Sequence, residues 1–572
     1  MNLPSHRIAA WALGALLVAS SPSLLGCGAP AKVAELVVHG DNRLLRHRAE
    51  GAPPSSPGHP AILFLAFDGV DRALLYDMLH KGELPMLSEL LAGDHGSFPH
   101  TFFDDSFLST LPSSTMAAWS TTMTGVGPAH HGVSGNEFFI REERRMGAPA
   151  PASFSDASPT LGIYTNGYLN ALLKAPSLYE RLRETEPNIL IWVAMHQVFS
   201  GADRLLVAKP TVMASAFEQL LEETAAKAAQ RNKPSRGLYE KLDKDVVAVV
   251  TDSLDKGPVP DVLTVYLSGT DLYAHIAEEG PDDARRAYLR EVVEPAISDL
   301  TTHLRKRDAL KDRYVVITSD HGHTPVKHDE EHALSSKDAD DPPALVKKAG
   351  FRLRPLQLDV SEKDDFDAVL AYGGATAFVY VADRSTCPKA KDVCDWNKPP
   401  RYEDDVVPMA EAFFKNNRDG SLAPGMKGTL DLILTRRPKP FAEVDHPFEV
   451  YVGAGKAVPV EEYLKEHPHP TYVAVSSRLR DLAVGPHGER AGDVMLLAHN
   501  GDRSTPEERY YFASLYRSWH GSPSRKDSEI PLIVAHPGHS EGELRARTLR
   551  VLGDQPYQQK VTDLLLDLRH GK

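Results

Sequence analysis

The chain has 572 residues, 64 Lys plus Arg against 78 Asp plus Glu, and a formal net charge of −14. Its 42% apolar and 25% charged residues are the make-up of a folded globular protein, which excludes a disordered chain, a collagen-like repeat and a multi-span membrane protein. The acidic balance excludes a surface built to coat nucleic acid, which needs a basic footprint.

At the N-terminus, His6-Arg7 precedes an apolar run from Ile8 to Val18, and small residues lead to Leu24-Leu25-Gly26-Cys27. A charged start, an apolar stretch too short for a comfortable span and a small-residue end read as a secretory signal over residues 1–26. Leu-x-Gly-Cys resembles the bacterial lipoprotein box, which implies Cys27 as the lipidated first mature residue. Gly28 after it implies outer-membrane sorting in a cell with two membranes. Residues 27–58 then read as a linker, ending in the breaker-rich Gly51-Ala52-Pro53-Pro54-Ser55-Ser56-Pro57-Gly58. The expectation is an exported protein, facing the periplasm or the cell surface, whose membrane contact is the lipid anchor alone.

Apolar runs of strand length follow at Ala61–Phe67, Ile189–Ala194, Val262–Leu267, Tyr314–Thr318, Ala377–Val381, Val494–Ala498 and Leu532–Ala535. Such runs suit strands buried on both sides of a sheet. Helix-period stretches lie between them, at Arg72–Lys81, Ala214–Arg231, Asp283–Arg307 and Gln558–Arg569. The alternation predicts an α/β fold with a mostly parallel central sheet flanked by helices on both faces. Residues 137–187 and 325–500 are irregular and richer in Pro and charge. They read as insertions forming a cap on one catalytic core of residues 59–552, with a C-terminal helix in 553–572. Cys387 and Cys394 predict a short-loop disulfide formed in an oxidising compartment.

Candidate metal ligands gather at the ends of the predicted strands, where α/β sheets collect functional groups. Asp68 follows the first run, and Asp271 and His275 follow Val262–Leu267. Asp320-His321-Gly322-His323 follows Tyr314–Thr318, and His520 comes shortly before Leu532–Ala535. Asp271 and His275, four residues apart, share one helical face and suit a single ion. Taken singly, an Asp after a strand is as readily a turn former or helix cap. His130, His131, His323, His328 and His332 read as neighbours of the ligands or as surface groups. Ser113-Ser114-Thr115 leads a helix-compatible run, which puts Thr115 near a helix N-terminus, where N–H groups and the dipole favour an anion. A plain N-cap is the alternative.

Together these residues resemble the alkaline phosphatase superfamily, closest to its type I phosphodiesterase/nucleotide pyrophosphatase branch, over about residues 59–136, 185–324 and 490–540. Thr115, then Thr124-Gly125-x-x-Pro128, then His131-Gly132-Val133 stand in the order of that family's nucleophile segment. Asn136 stands at the offset of the family's phosphoryl-binding Asn. The resemblance implies two Zn²⁺ ions: Asp68, Thr115, Asp320 and His321 would hold one, and Asp271, His275 and His520 the other. It also implies a covalent phospho-threonine on Thr115, Asn136 on a non-bridging oxygen, and a small-molecule phosphate ester as substrate.

Departures narrow the reading. Thr115-Met116-Ala117-Ala118-Trp119 replaces the family's Thr-Phe-Pro-Asn-His, so the surface just after the nucleophile differs from that of nucleotide pyrophosphatases. Thr cannot become formylglycine, which disfavours a sulfatase. His196-Gln197-Val198 stands where Thr-type alkaline phosphatases carry a Lys-x-Arg pair, which leans towards diesters. The reading is a two-zinc phosphodiesterase. The alternatives are an alkaline phosphatase-type monoesterase, an envelope phospho-group transferase and a non-catalytic lipoprotein.

Overall fold

The computed structural model describes residues 43–46, 58–94, 96–151, 158–216, 236–334, 341–356, 365–437, 447–501, 505–513 and 515–571. The signal segment, Cys27 and the predicted helix Ala214–Arg231 from residue 217 onward lie outside the described residues. No helix among the described residues is long and apolar enough to cross a membrane.

The chain forms β1 (Ala61–Phe67), β2 (Thr101–Phe103), β3 (Ile191–Ala194), β4 (Arg204–Leu206), β5 (Val262–Leu267) and β6 (Arg313–Ser319). There follow β7 (Ala368–Gly373), β8 (Thr376–Val381), β9 (Leu430–Thr435), β10 (Glu449–Gly453), β11 (Lys456–Pro459), β12 (Val494–Ala498) and β13 (Leu532–Ala535). The central sheet is seven-stranded, in the order β2-β13-β6-β1-β5-β3-β4. β6, β1, β5, β3 and β4 run parallel, and β13 is antiparallel to both β6 and β2. The fold is thus α/β with a mostly parallel central sheet.

Helices cover both faces. One group holds α3 (Arg236–Lys256), α4 (Gly269–Ala274), α5 (Pro281–Tyr288) and α6 (Glu294–Lys306), with α1 (Arg72–His80) packed on α5. The other holds α2 (Thr115–Thr124) and α7 (Lys560–His570), which pack on each other. β1 is the centre of this arrangement, and Ile62 to Phe67 are wholly buried because both of its faces meet helices.

Ala377–Val381 and Val494–Ala498 are strands, but of another sheet. They belong to a six-stranded antiparallel sheet in the order β7-β8-β12-β9-β10-β11. Its strands read like those of a parallel sheet because it too is covered on both faces. Phe378 and Tyr380 point into one apolar cluster, and Ala377, Val379 and Val381 into another. Cys387 and Cys394 are joined as a disulfide beside this sheet.

Register sets up the site. Phe67 is level with Leu267 on one side and with Ser319 on the other. The residues that come next, Asp68, the start of α4, and Asp320-His321, therefore leave the sheet side by side at its carboxyl edge.

Candidate metal centre

Each ligand is fixed by the element that delivers it. Asp68 leaves β1 with its N–H donated to the Leu267 carbonyl at 3.1 Å. Gly69 then turns the chain with φ +69°, and a Cβ there would stand 2.7 Å from His323 Nε2 and 2.9 Å from Asp271 Cβ. Only glycine allows that turn and that approach. The short helix α4 places Asp271 Oδ1 3.4 Å from His275 Nε2. Its first N–H groups are held from α3, where the buried Asp243 carboxylate accepts from Ser268 at 3.2 Å and Gly269 at 3.1 Å. Asp320 and His321 follow β6 directly. His520 follows the short strand Ser518–Trp519, which pairs with Thr324–Pro325.

These elements bring all seven sequence-predicted ligands together. Asp68, Asp320 and His321 offer ligand atoms within 4.8 Å of one another, and Asp271, His275 and His520 do the same. A third, overlapping group is Asp271, His321 and His323. The His321 and His520 rings stack, with centroids 3.5 Å apart, so the two predicted ligand sets adjoin.

The donor chemistry fits divalent cations. Nδ1–H of His275 donates to the Ser518 carbonyl at 2.8 Å, that of His321 to Gly322 at 3.0 Å, and that of His520 to Ser113 at 3.0 Å. A carbonyl can only accept, so each Nε2 keeps its lone pair for the cluster. The carboxylates are held in the same one-sided way. Asp320 Oδ1 accepts from the N–H groups of Gly69 at 3.1 Å and His321 at 2.9 Å, while its buried Oδ2 has no hydrogen-bond partner among the described residues. Asp68 Oδ2 accepts from the Tyr266 hydroxyl, and its buried Oδ1 is likewise without one. Imidazole nitrogens mixed with single carboxylate oxygens suit Zn²⁺ better than Mg²⁺ or Ca²⁺.

Electrostatics says the same. Burial, then the negative charges of Asp320 and Asp271, push Asp68 well above the usual carboxylate range. Burial raises Asp320 to about 7. Asp271 goes the other way: burial works against it, but His275 and His323 hold it well below the usual range. Burial drives His321 down to about 3, and His520 and His323 well below the ordinary histidine value. Burial thus favours neutral rings at His321, His323 and His520 beside crowded carboxylates, an environment that a cation relieves.

Thr115 is the first residue of α2, after Ser114 at the N-cap position. Its Oγ1 is 3.2 Å from His321 Nε2. Asn136 closes the same helix end, its Oδ1 accepting from the Met116 N–H at 3.0 Å. Thr115, Asn136, Asp68, Asp271, His275 and His520 all line one cavity of about 180 Å³. The disulfide cysteines do not line it.

Tyr266 and Asp243 were not singled out from sequence. Tyr266 lies inside an apolar strand, and only the register shows its hydroxyl meeting Asp68. Of the two readings open to His323, the structure has the first: it is fully buried and stands on Asp271, as a neighbour of the ligands and not a surface group. Its position two residues after His321 was the available signal. Of the other histidines, His130 and His328 are exposed. His131 is buried 3.0 Å from Thr121 Oγ1, and His332 is 2.6 Å from Asp329 Oδ1. His196 is buried edge-on to Trp119, and Gln197 lines the cavity.

The sequence profile of the family described as type I phosphodiesterase / nucleotide pyrophosphatase matches residues 62–522. No curated protein sequence matches significantly. Among solved structures, murine ectonucleotide pyrophosphatase / phosphodiesterase 5 is similar at 11% identity over 89% of this chain and 94% of that chain, with a TM-score of 0.44. The family match spans most of the chain, from β1 to just past His520. The chain therefore belongs to the type I phosphodiesterase / nucleotide pyrophosphatase family and is a metal-dependent phosphoric ester hydrolase.

Proposed function

We propose that the chain hydrolyses phosphodiesters at a two-zinc centre, through a covalent phospho-threonine on Thr115. One observation carries this reading: the Thr115 hydroxyl stands at a helix N-terminus, 3.2 Å from His321 Nε2, on a cavity that it shares with ligands of both sets. When bound, two Zn²⁺ ions would neutralise the oxygens around phosphorus and favour ionised hydroxyl groups, with Asp68, Thr115, Asp320 and His321 holding one ion and Asp271, His275 and His520 the other.

The chain's own groups then have distinct tasks. Thr115 Oγ1 attacks phosphorus and the ester bond to the leaving alcohol breaks. The dipole at the N-terminus of α2 favours the negative charge gathering there. The Met116 N–H fixes the Asn136 amide beside Thr115, and its Nδ2 hydrogens are the donors for a non-bridging oxygen. Attack of water on the phospho-threonine releases the phosphate monoester and restores the Thr115 hydroxyl.

The cavity supports a diester over a monoester. Among the described residues no Lys or Arg lines it, and a diester carries one negative charge fewer than a monoester dianion. Zinc-loaded protein starting at Gly28 tests this on bis-p-nitrophenyl phosphate and p-nitrophenyl phosphate. The diester is expected to show kcat/KM at least about tenfold higher, a difference of about 1.4 kcal/mol in transition-state binding. A preference for the monoester would overturn the assignment.

We also propose export and lipid anchoring at Cys27, on the strength of the Leu-x-Gly-Cys sequence, and the Cys387–Cys394 disulfide supports an oxidising compartment. Labelled palmitate is expected to enter the whole chain and to be lost in Cys27→Ser; labelling that persists would refute the anchor.

A further inference from the structure

Besides the ligands, the cavity lining includes an apolar arm of side chains. Met116, Ile163, Met195, Met213, Leu242 and Leu272 make it up. Ile163 and Met213 are fully buried. Tyr164 adds its ring, but its hydroxyl is already donated to the Met195 carbonyl at 2.9 Å. Thr160 similarly donates to the Pro149 carbonyl at 3.0 Å. Met195 holds a left-handed backbone, φ +54°, which is uncommon for a residue with a side chain and is found where a site over-determines the conformation. Besides the ligands, two buried side-chain atoms of the cavity lining are without a hydrogen-bond partner among the described residues: Gln197 Oε1, in a side chain 2% exposed, and Trp519 Nε1.

We propose that this arm receives the retained alcohol of the diester, that this alcohol is uncharged and largely aliphatic, and that Gln197 Oε1 accepts one hydrogen bond from a hydroxyl or amide N–H on it. The inference rests on the diesterase reading and gives its substrate class. A nucleoside would bring several ribose hydroxyls and base edges into a lining whose unpartnered groups, the ligands aside, are one acceptor, Gln197 Oε1, and one donor, Trp519 Nε1, among the described residues. Buried without partners, those groups disfavour binding. An aliphatic group gains from every carbon removed from water, and three unbranched thioethers adapt to its shape. In the reaction Thr115 carries the alkyl phosphoryl group after the first alcohol leaves, and water releases it as an alkyl phosphate.

Zinc-loaded enzyme is assayed on p-nitrophenyl esters of butyl, hexyl and dodecyl phosphate and of thymidine 5′-phosphate, with p-nitrophenolate as the common leaving group. The hexyl ester is expected to exceed the thymidine ester in kcat/KM by at least about tenfold. Met213→Gln, which puts an amide into the arm, is expected to shrink that ratio. Gln197→Leu gives a second reading that leaves the apolar wall intact: it should slow a 6-hydroxyhexyl ester and spare the hexyl ester. A rate that rises again from hexyl to dodecyl assigns the arm to a lipid chain, and a peak at hexyl assigns it to a short soluble alcohol. A thymidine ester turned over as well as the hexyl ester overturns the substrate class and leaves the diesterase reading standing. Turnover of no diester overturns both.

Discussion

His323 Nε2 stands 2.8 Å from Asp271 Oδ1, and its Nδ1 stands 3.0 Å from Ser518 Oγ. One buried imidazole thus joins three segments that deliver ligands: the end of β6, the helix α4 and the strand before His520. Ser518 Oγ also donates to the Ala274 carbonyl at 2.7 Å, which secures α4 from its other end. His323→Leu removes this tie and leaves the seven proposed ligands in place. The expected result is metal binding weakened by about 10–100-fold, read by competition with a chromogenic chelator. Unchanged affinity would reduce His323 to packing.

Metal removal should unsettle the whole sheet edge. Asp68, Asp271 and Asp320 are buried together, and Asp68 is raised by burial and by its two acidic neighbours. A chelator is expected to lower the unfolding temperature, and excess Zn²⁺ to restore it. At free metal about 1,000 times Kd the gain is about 4 kcal/mol per site. Calorimetry with and without chelator checks this, and an unchanged Tm would contradict it.

Asp243 gives stability a pH dependence of known sign. Burial raises it to about 7, despite the hydrogen bonds it accepts from Tyr288, Gly269 and Ser268. Its folded pKa lies above the unfolded value of 3.8, so the folded state binds the proton more tightly. The contribution is full below about pH 4 and is lost as pH rises towards about 7. The slope is at most about 1.4 kcal/mol per pH unit within that window. Asp243→Asn should remove it, so the stability of the variant relative to wild type should rise from pH 4 to 7. Melting curves across that range are the check.

Gly269 tests how tightly α4 is seated. A Cβ there would lie 1.8 Å from Tyr288 Oη and 2.7 Å from Asp243 Oδ2. Gly269→Ala must displace one of them, at about 1–3 kcal/mol by analogy with overpacked cores. Denaturant unfolding should show that loss, and kcat should fall further than stability alone explains, because α4 carries Asp271 and His275. A Gly269→Ala, Tyr288→Phe double variant should recover part of both.

The site was legible because its ligands are short side chains placed directly after apolar strands. Asp68, Asp271, Asp320 and His321 all stand within a few residues of a buried run, so locating the strands located them. Sheet membership was less legible. Ala377–Val381 and Val494–Ala498 are apolar at every position whether a sheet is parallel or is antiparallel with both faces covered, and no local pattern separates the two cases. Partners that reach across the fold were invisible for a related reason. Tyr266 and Asp243 meet the site through register and helix packing, and the apolar arm draws Ile163, Met195, Met213 and Leu242 from four separate segments.

The covalent step on Thr115 is the central claim, and acid-quenched mass spectrometry tests it most directly. Zinc-loaded enzyme turning over bis-p-nitrophenyl phosphate is quenched within milliseconds, digested and mapped. A p-nitrophenylphosphoryl group is expected on the peptide containing Thr115, at a stoichiometry that rises with the burst of p-nitrophenolate. Thr115→Ala should lack both the adduct and the burst and lose at least about 10³-fold in kcat. An adduct on another residue, or a Thr115→Ala variant with full activity, would contradict the assignment of Thr115 as the nucleophile.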